Sequence, residues 1–334
     1  MVSEPNILDE PPAEVRDELE NLEMQLDLEL PPKSLDSNLL VATWNIRSLS
    51  NLTRKWNADD DDSPKRDLRA LRAIAEIIQR FDVVAVQEVR SHVHAFKELL
   101  KALGSHWSFV LTDVTKGKQG NYERMAFLFD TRKLMMSGLA CELVVPPERL
   151  ESIDPGSLKN QFARTPYAVG FKTISSPVRE PVSFVLVTLH VFYGEGPEDR
   201  IAELKEIAEW IADWARSEHA WDNNLIALGD FNIDRRGDPL YEAFTSTGLD
   251  VPEVLNKVPR TIFTDPDESD TEHFYDQIAW FMGEGSTPPL SIRFHSGGGF
   301  DFTKSLYKKE DLTKNQISWK ISDHFPLWVE FDTT

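Results

Sequence analysis

Cysteine and long apolar runs are both scarce in this sequence. Its 334 residues include a single cysteine, Cys141, so the chain cannot form an internal disulfide, which is typical of a reducing compartment. The apolar run from Phe184 to Val191 contains polar residues and is far too short to span a bilayer. The acidic N-terminus lacks the basic-then-apolar pattern of a secretory leader. We therefore expect a cytoplasmic protein without membrane insertion, in which Cys141 has a packing role.

Positive charge is also scarce. The formal net charge is -20, and residues 1–37 contain eleven acidic and two basic side chains, a balance of -9. The remaining residues carry -11, so even they lack the broad basic surface that marks many nucleic-acid-binding proteins. Any phosphate ligand must therefore be held by a local patch of the surface or by a metal ion.

The side chains that build a core are plentiful. Hydrophobic residues make up 41% of the chain and include nine tryptophans, enough for one large α/β domain or two small ones. From Asn38 onward, short apolar runs alternate with amphipathic helical patterns, which predicts sheets covered by helices. The predicted strands are Leu39–Trp44, Asp82–Gln87, Ser108–Leu111, Arg124–Phe129, Ala168–Phe171, Ser183–Leu189, Asn224–Leu228, Tyr275–Phe281 and Leu327–Phe331. The predicted helices are Lys65–Arg80, His92–Leu103, Pro197–Arg216 and Pro239–Thr247, and the predicted loops are Asp59–Pro64, Asp265–Asp270 and Ser296–Gly299.

The first 37 residues are predicted to be an acidic extension of a catalytic domain that covers residues 38–334. Apolar residues spaced by three or four indicate an amphipathic helix within it. One interpretation is a helix that docks on a protein partner or on the core, and the other is a solvated acidic arm. The apolar positions are Val15, Leu19, Leu22, Leu26 and Leu30.

Polar side chains follow many of the predicted strands. In α/β sheets, the strand ends and the loops after them are where ligand groups gather. Carboxylates favour Mg²⁺, Mn²⁺ or Ca²⁺ over zinc, and two histidines among them suit acid–base work around a hydrolytic water. These strand-end residues are Asn45, Glu88, His190, Asp230, Asn232, Asp276, Asp323 and His324.

The ordered set of motifs around these residues resembles the endonuclease/exonuclease/phosphatase superfamily, and its details are most similar to the deoxyribonuclease I branch. The resemblance implies an α/β four-layer sandwich of two mixed β-sheets packed face to face and flanked by helices. It also implies Mg²⁺ or Mn²⁺ and in-line attack of water on a phosphodiester. The motifs are Thr43-Trp44-Asn45-Ile46-Arg47, Val86-Gln87-Glu88-Val89-Arg90, Leu189-His190, Gly229-Asp230-Phe231-Asn232, Tyr275-Asp276-Gln277-Ile278 and Ile321-Ser322-Asp323-His324.

The resemblance also implies a metal site and a reaction centre. Glu88 is expected to be the primary metal ligand, with Asn45 and Asp323 beside it. Asp230 is expected to orient or deprotonate the attacking water, and Asn232 to hold the phosphate. A divalent ion at such a site lowers the pKa of bound water and neutralises charge on the phosphoryl oxygens.

Two histidines are expected to bracket the phosphate, each with its own carboxylate. By the resemblance, Asp276 pairs with His324, and Glu123 pairs with His190. Tyr122 precedes Glu123 and is assigned to substrate binding. A carboxylate behind a histidine favours the charged imidazole and fixes its orientation.

Two arginines are candidates for phosphate contact. Arg90 follows Glu88 by two residues, and along a strand end such a residue faces the same side. Arg164 precedes a predicted strand, as a phosphate-contacting arginine does in the deoxyribonuclease I branch. The alternative for both is an ion pair with a surface acid.

Two further segments have open interpretations. The segment Arg293–Trp319 interleaves lysines with Phe300, Phe302, Tyr307 and Trp319, so it either grips a nucleic-acid backbone and stacks on bases or forms an ordinary surface hairpin. A loop rich in acids could form a structural Ca²⁺ site, although its spacing matches no EF-hand. Its acids are Asp265, Asp267, Asp270 and Glu272.

The function predicted from the sequence is a divalent-metal-dependent DNA endonuclease or nickase. The alternative is a phosphoesterase that acts on small or lipid phosphates, of the inositol-phosphate phosphatase or sphingomyelinase type, and the acidic charge of the chain keeps it open. A non-catalytic binding module is disfavoured, because every expected catalytic position is occupied by a suitable residue.

Overall fold

Two mixed six-stranded β-sheets lie at the centre of the molecule. The computed structural model describes residues 4–150, 161–174, 180–194, 196–217, 221–265, 267, 273–283 and 287–333. The first sheet has the order β11-β12-β1-β2-β4-β3, and the second has the order β5-β6-β7-β8-β10-β9. The first comprises β11 (Arg293–Gly299), β12 (Leu327–Asp332), β1 (Asn38–Leu49), β2 (Val83–Arg90), β4 (Glu123–Asp130) and β3 (Trp107–Leu111). The second comprises β5 (Leu134–Glu142), β6 (Tyr167–Thr173), β7 (Ser183–His190), β8 (Leu225–Ile233), β10 (Phe274–Phe281) and β9 (Leu249–Asp250).

Helices cover the outer faces of both sheets. Neighbouring strands are parallel in the pairs β1–β2 and β7–β8, and each of these pairs is joined by a connection that contains a helix. The predicted α/β four-layer sandwich is therefore confirmed. The helices are α1 (Ala13–Glu29), α2 (Leu68–Ile78), α3 (His94–Leu103), α4 (Gly117–Gly120), α5 (Pro147–Leu150), α6 (Pro197–Arg216), α7 (Pro239–Thr245) and α8 (Lys314–Lys320).

Two hydrophobic clusters hold these layers together. The larger lies between the sheets and continues under α6, with Phe127 packed edge-on against Phe171 at 5.7 Å between ring centres. The smaller joins the outer face of the first sheet to α1, α2 and α3, and includes Trp44 and Phe302. Burying this much apolar area fixes the two sheets against each other, and so fixes the side chains at their shared edge.

The N-terminal helix α1 packs on the body of the molecule beside α2. Val15, Leu22 and Leu26 are fully buried in the smaller cluster. Both carboxylate oxygens of Glu18 accept hydrogen bonds from Arg69, at 2.7 and 2.6 Å. Of the two interpretations of this segment, the structure places the helix on the core, where its apolar face is covered by the chain itself.

The predicted loop Ser296–Gly299 is wrong, because these residues belong to strand β11. Added Cβ atoms at Gly297 and Gly298 would lie 3.0 Å from atoms of Trp328 on the paired strand β12. Glycine here allows close approach of the Trp328 carbonyl at Gly297 and of its indole ring at Gly298, rather than a turn. The sequence pattern also missed β5 and α8, and α2 begins only at Leu68, where Asp67 caps it by accepting from the Ala70 amide.

The proposed role of the Arg293–Trp319 aromatics in base stacking is wrong for most of them. Phe300, Phe302 and Tyr307 are buried in the smaller cluster, so they cannot meet a ligand. Trp319 on α8 is 44% exposed.

Four further predictions concern membrane insertion, the proposed Ca²⁺ loop, Cys141 and the location of the protein in the cell. In the described part of the chain, no helix combines the length and the apolarity that a bilayer crossing demands. Asp270 and Glu272 of the proposed Ca²⁺ loop lie outside the described residues. Burial raises the pKa of the Cys141 thiol, which disfavours the reactive thiolate. The cytoplasmic location stays a prediction.

Candidate active site

One edge of the second sheet gathers three of the predicted site residues in a row. His190 ends β7 and pairs in register with Asp230 on β8, which in turn pairs with Asp276 on β10. Gly229 has a φ of 145°, and a Cβ added there would lie 2.1 Å from the carbonyl oxygen of Leu189. Glycine is therefore needed at 229, because a larger residue would push Asp230 away from His190.

His324 is held by a buried carboxylate. Its Nδ1 lies 2.6 Å from Oδ2 of Asp276. Burial alone lowers the pKa of His324, but the negative charges of Asp276, Asp230 and Asp323 outweigh it and raise the pKa to about 10. Burial also raises the pKa of Asp276 to about 6, against the opposing effect of His324. At neutral pH the pair is therefore an imidazolium and a carboxylate.

His190 belongs to a larger network. Its Nδ1 lies 3.0 Å from Oε2 of Glu123, and the same oxygen lies 2.8 Å from Nε of Arg164. Oε1 of Glu123 lies 3.2 Å from Nη1 of Arg90. Burial raises the pKa of Glu123, but the contact with His190 and the charges of both arginines outweigh it and lower the pKa. Glu123 therefore stays ionised and orients the imidazole.

Both imidazoles turn their second nitrogen toward one carboxylate oxygen. Nε2 of His190 lies 3.7 Å, and Nε2 of His324 lies 3.9 Å, from Oδ2 of Asp230. Burial raises the pKa of Asp230, but the charges of His324 and His190 and the hydrogen bonds from Asn45 and Asn232 outweigh it and lower the pKa. Asp230 is therefore an ionised acceptor between two histidines.

The candidate metal ligands come from the first sheet and the loop after α8. Asn45 Nδ2 donates to Oε1 of Glu88 at 3.2 Å and to Oδ2 of Asp230 at 2.9 Å, which joins the two sheets. Oδ2 of Asp323 lies 3.4 Å from Nη1 of Arg47. Within the described residues, Oδ1 of Asn45 is buried and accepts no hydrogen bond. An unsatisfied acceptor among carboxylates fits an oxygen-coordinated cation.

Backbone strain is concentrated at this site. Glu88 and Asn232 have φ values of 60° and 51°, in the left-handed region that non-glycine residues rarely adopt. The Asn232 amide nitrogen donates to Oδ1 of Asp230 at 3.0 Å, and its side chain donates to the Val191 carbonyl at 2.6 Å. Strain that the surroundings maintain at such positions is characteristic of functional sites.

The three residues predicted to contact phosphate differ in exposure. Arg164 is buried against Glu123, and Arg90 is half-buried and lies 3.6 Å from Oε2 of Glu88. Tyr122 precedes Glu123 and is 56% exposed. Both arginines are thus paired with site carboxylates rather than with a remote surface acid, and phosphate contact by all three stays a prediction.

Arg66 is a site-supporting residue that the sequence did not reveal. Its guanidinium is buried and donates to the carbonyl oxygens of Arg47, Ser48 and Ile321 at 2.6, 2.9 and 2.9 Å, and to that of Lys320 at 3.0 Å. It therefore ties the chain after Asn45 to the chain before Asp323. Such bonds to backbone leave no side-chain pattern in a sequence.

Other supporting residues are also absent from the predicted set. Ser322 Oγ donates to the Asn45 carbonyl at 2.6 Å. Gln87 Nε2 donates to Thr188 Oγ1 at 3.0 Å, a polar bond between the two sheets beneath the site. Arg260 is buried and donates to the Asp276 carbonyl at 2.8 Å. Ser322 and Gln87 were visible within the motifs, but nothing in their spacing distinguished a structural role.

A second acidic cluster lies apart from these residues. Asp59, Asp61 and Asp62 place carboxylate oxygens within 4.8 Å of one another on a loop. Lys55 Nζ donates to Asp59 at 2.7 Å and to Asp62 at 2.8 Å, so a cation of the chain already occupies this cluster. Exposed acids of this kind are common without a metal, and we assign no site to them.

Comparison with known proteins agrees with this geometry. A model of the Endonuclease/Exonuclease/phosphatase family matches residues 42–324. A deoxyribonuclease from Thioalkalivibrio sp. (strain K90mix) is 27% identical over 316 residues, covering 91% of this chain and 73% of that protein. Deoxyribonuclease-1 of Bos taurus is 26% identical over 303 residues, covering 88% and 93%.

The fold is also found among solved structures. An endonuclease/exonuclease/phosphatase family protein from Bacteroides thetaiotaomicron superposes with a TM-score of 0.57 at 21% identity, covering 89% of this chain and 98% of that one. The match of the family model begins within β1 and ends at His324, and it includes every candidate site residue. The chain belongs to the endonuclease/exonuclease/phosphatase family and is a hydrolase that acts on phosphodiester bonds.

Proposed function

We propose that the protein is a divalent-metal-dependent deoxyribonuclease that cleaves DNA internally by in-line attack of water. The observation that carries this proposal is the convergence of two carboxylate-paired histidines on Asp230, with His190 and His324 at 3.7 and 3.9 Å from its Oδ2. Two relatives that cover most of this chain are named deoxyribonucleases, which favours DNA as the substrate.

Glu88, Asn45 and Asp323 are the residues that would hold the metal ion. All three offer oxygen atoms, which suits Mg²⁺ or Mn²⁺, and the buried Oδ1 of Asn45 has no donor among the described residues. A bound divalent ion would neutralise charge on the phosphoryl oxygens and lower the pKa of a coordinated water.

The side chains of the chain itself then divide the remaining work. Asp230, kept ionised, accepts the proton of the attacking water. His324, kept protonated by Asp276, donates from Nε2 to the phosphate and stabilises its developing charge. His190, oriented by Glu123, is placed to protonate the leaving oxygen.

The phosphate is held by amide and cationic groups in this proposal. Asn232 adds a polar group without a charge that would repel the substrate. Arg90 and Arg164 add positive charge beside Glu123, and the exposed Tyr122 precedes Glu123 in the chain. These residues form the local patch that an acidic chain without a broad basic surface needs in order to bind a phosphate.

The proposal is tested by incubating supercoiled plasmid with the protein and with Mg²⁺, Mn²⁺, Ca²⁺ or a chelator. We expect open-circular or linear DNA with Mg²⁺ or Mn²⁺, none with the chelator, and loss of cleavage in Asp230→Ala. Asp59→Asn is the matched control, because this acid lies in the separate exposed cluster, and it should cleave normally.

The same assay decides the alternative function. Intact plasmid under every metal condition, together with release of phosphate or phosphocholine from small substrates, would overturn the deoxyribonuclease proposal in favour of a phosphoesterase. A steep loss of cleavage with added salt would instead reveal a basic patch or a DNA-binding partner, because a protein with few basic contacts should have a shallow salt dependence.

A further inference from the structure

A tryptophan stands exposed beside the candidate metal ligand Asp323. Trp319 lies near the end of α8, four residues before Asp323, and is 44% exposed. Exposure of a large aromatic side chain is unfavourable in free energy, because its apolar area stays in contact with water. The proposed cleavage reaction gives Trp319 no role.

Arg47 holds this ring in a fixed orientation. The guanidinium carbon of Arg47 lies 3.9 Å from the centre of the Trp319 ring. Nη1 of Arg47 donates to Ser318 Oγ at 2.6 Å and lies 3.4 Å from Oδ2 of Asp323. The guanidinium lies over the ring, which keeps 44% of Trp319 exposed while fixing its orientation. The ring is thus preorganised for stacking from outside.

A neighbouring loop extends the same surface. Phe263 is 41% exposed, and the adjacent Ile262 amide donates to the Asp323 carbonyl at 3.0 Å. Lys314, at the start of α8, donates to the Thr264 carbonyl at 3.3 Å. We call this surface the aromatic wall, defined by Trp319, Phe263, Lys314 and Arg47. It combines two exposed rings with two cations beside the candidate site.

We propose that the aromatic wall binds an unpaired nucleobase next to the scissile phosphate, with Trp319 as the stacking residue. Aromatic rings interleaved with cations are the usual platform for single-stranded nucleic acid. A base inside a duplex is already stacked on both sides and must leave the helix before it can use such a ring. The inference names single-stranded or locally unpaired DNA as the preferred substrate class, and it rests on the proposed deoxyribonuclease function.

The test compares two substrates that differ in whether they contain a base. One is a single-stranded DNA oligonucleotide, and the other is an abasic diester, an oligomer of the same length made of deoxyribose phosphates without bases. We expect Trp319→Ala to lower the ratio of kcat/KM for the oligonucleotide to kcat/KM for the diester about tenfold, the size typical of one lost base–aromatic stack. Trp319→Tyr retains a ring and should restore most of the ratio.

Trp221→Ala is the matched control. Trp221 is also exposed, at 63%, but it packs on Ser137 and Gly138 of the edge strand β5. It should leave the ratio unchanged. An equal fall in both alanine variants, or an unchanged ratio in Trp319→Ala, would overturn the inference while the deoxyribonuclease function stood. A wild-type protein that cleaves neither oligomer under any metal condition would overturn the proposed function itself.

A second measurement locates the subsite. Oligonucleotides with one abasic position, moved along the strand, should be cleaved more slowly by the wild-type protein when the missing base is next to the scissile bond. Trp319→Ala should be insensitive to that same position, because the stack is already absent. Equal sensitivity in both proteins would contradict a base-binding role for Trp319.

Discussion

His324 and His190 each face Asp230 with Nε2 and a second carboxylate with Nδ1, but arginines support the two halves by different routes. On the His190 side, Arg164 and Arg90 contact the Glu123 carboxylate itself. On the His324 side, Arg260 donates to the backbone of Asp276.

This difference has a consequence for the charge of each half. Glu123 is neutralised by cations, so its negative charge is shared between His190 and two arginines. Asp276 is buried and its charge acts mainly on His324, which raises the pKa of the imidazole. In one half, arginines therefore hold the carboxylate of the pair, whereas in the other half the carboxylate acts on the imidazole of His324 and keeps a proton on it.

Neutralising each carboxylate in turn should show this difference between the two halves most clearly. We expect Asp276→Asn to lower kcat about 10²-fold with little loss of stability, because burial already disfavours the Asp276 carboxylate. Glu123→Gln should instead destabilise the fold by about 3–5 kcal/mol, because it removes the partner of the buried Arg164. Plasmid cleavage rates and thermal unfolding of both variants measure this, and the reverse pattern would refute the distinction.

Arg66 tests support through the backbone. Arg66→Lys keeps the charge but loses the planar group that donates to four carbonyl oxygens around Asn45 and Asp323. We expect about a tenfold loss of kcat/KM, since small displacements of a preorganised site are costly. The Mg²⁺ concentration for half-maximal cleavage should also rise. Arg72→Lys in the following helix α2 is the control, and equal effects of the two variants would count against a positioning role.

Glu203 is close enough to Arg164, in the His190 half, for the two charges to interact. Its replacement should have the smallest effect on activity. Burial raises its pKa to about 8, although the nearby Arg164 opposes the shift. The folded chain then keeps a proton that the unfolded chain releases, so stability falls as the pH rises from 4.5 to about 8. Glu203→Gln should remove this loss, and its Tm advantage over the wild type should grow across that range. A Tm difference independent of pH would show that Glu203 is not protonated in the fold.

The sequence was sufficient to predict the parts of the site in which a polar residue follows an apolar strand. Apolar strands followed by Asn45, Glu88, His190 and Asp230 predicted which side chains meet, because parallel neighbours end at one edge of a sheet. The order of the motifs added Glu123, which no strand-end pattern would have identified. These contacts depend on side-chain chemistry that is visible residue by residue.

Other features depended on distant packing and were not predictable. Arg66 acts through carbonyl groups more than 250 residues away in the chain, and a carbonyl is the same in every residue. Strand β11 contains three consecutive glycines, which resemble a loop until Trp328 is placed against them. The burial of Phe300 and Phe302 likewise follows from the fold rather than from their spacing with lysines.

The central claim is that both histidines act on one phosphate, which is attacked by the water that Asp230 deprotonates. The most direct measurement compares single-turnover plasmid cleavage by His190→Ala, His324→Ala and the double variant. Residues that act as a unit are strongly non-additive, so we expect the double variant to be little slower than either single variant. Multiplication of the two single losses would mean that the histidines act independently, and full activity in either single variant would contradict the account.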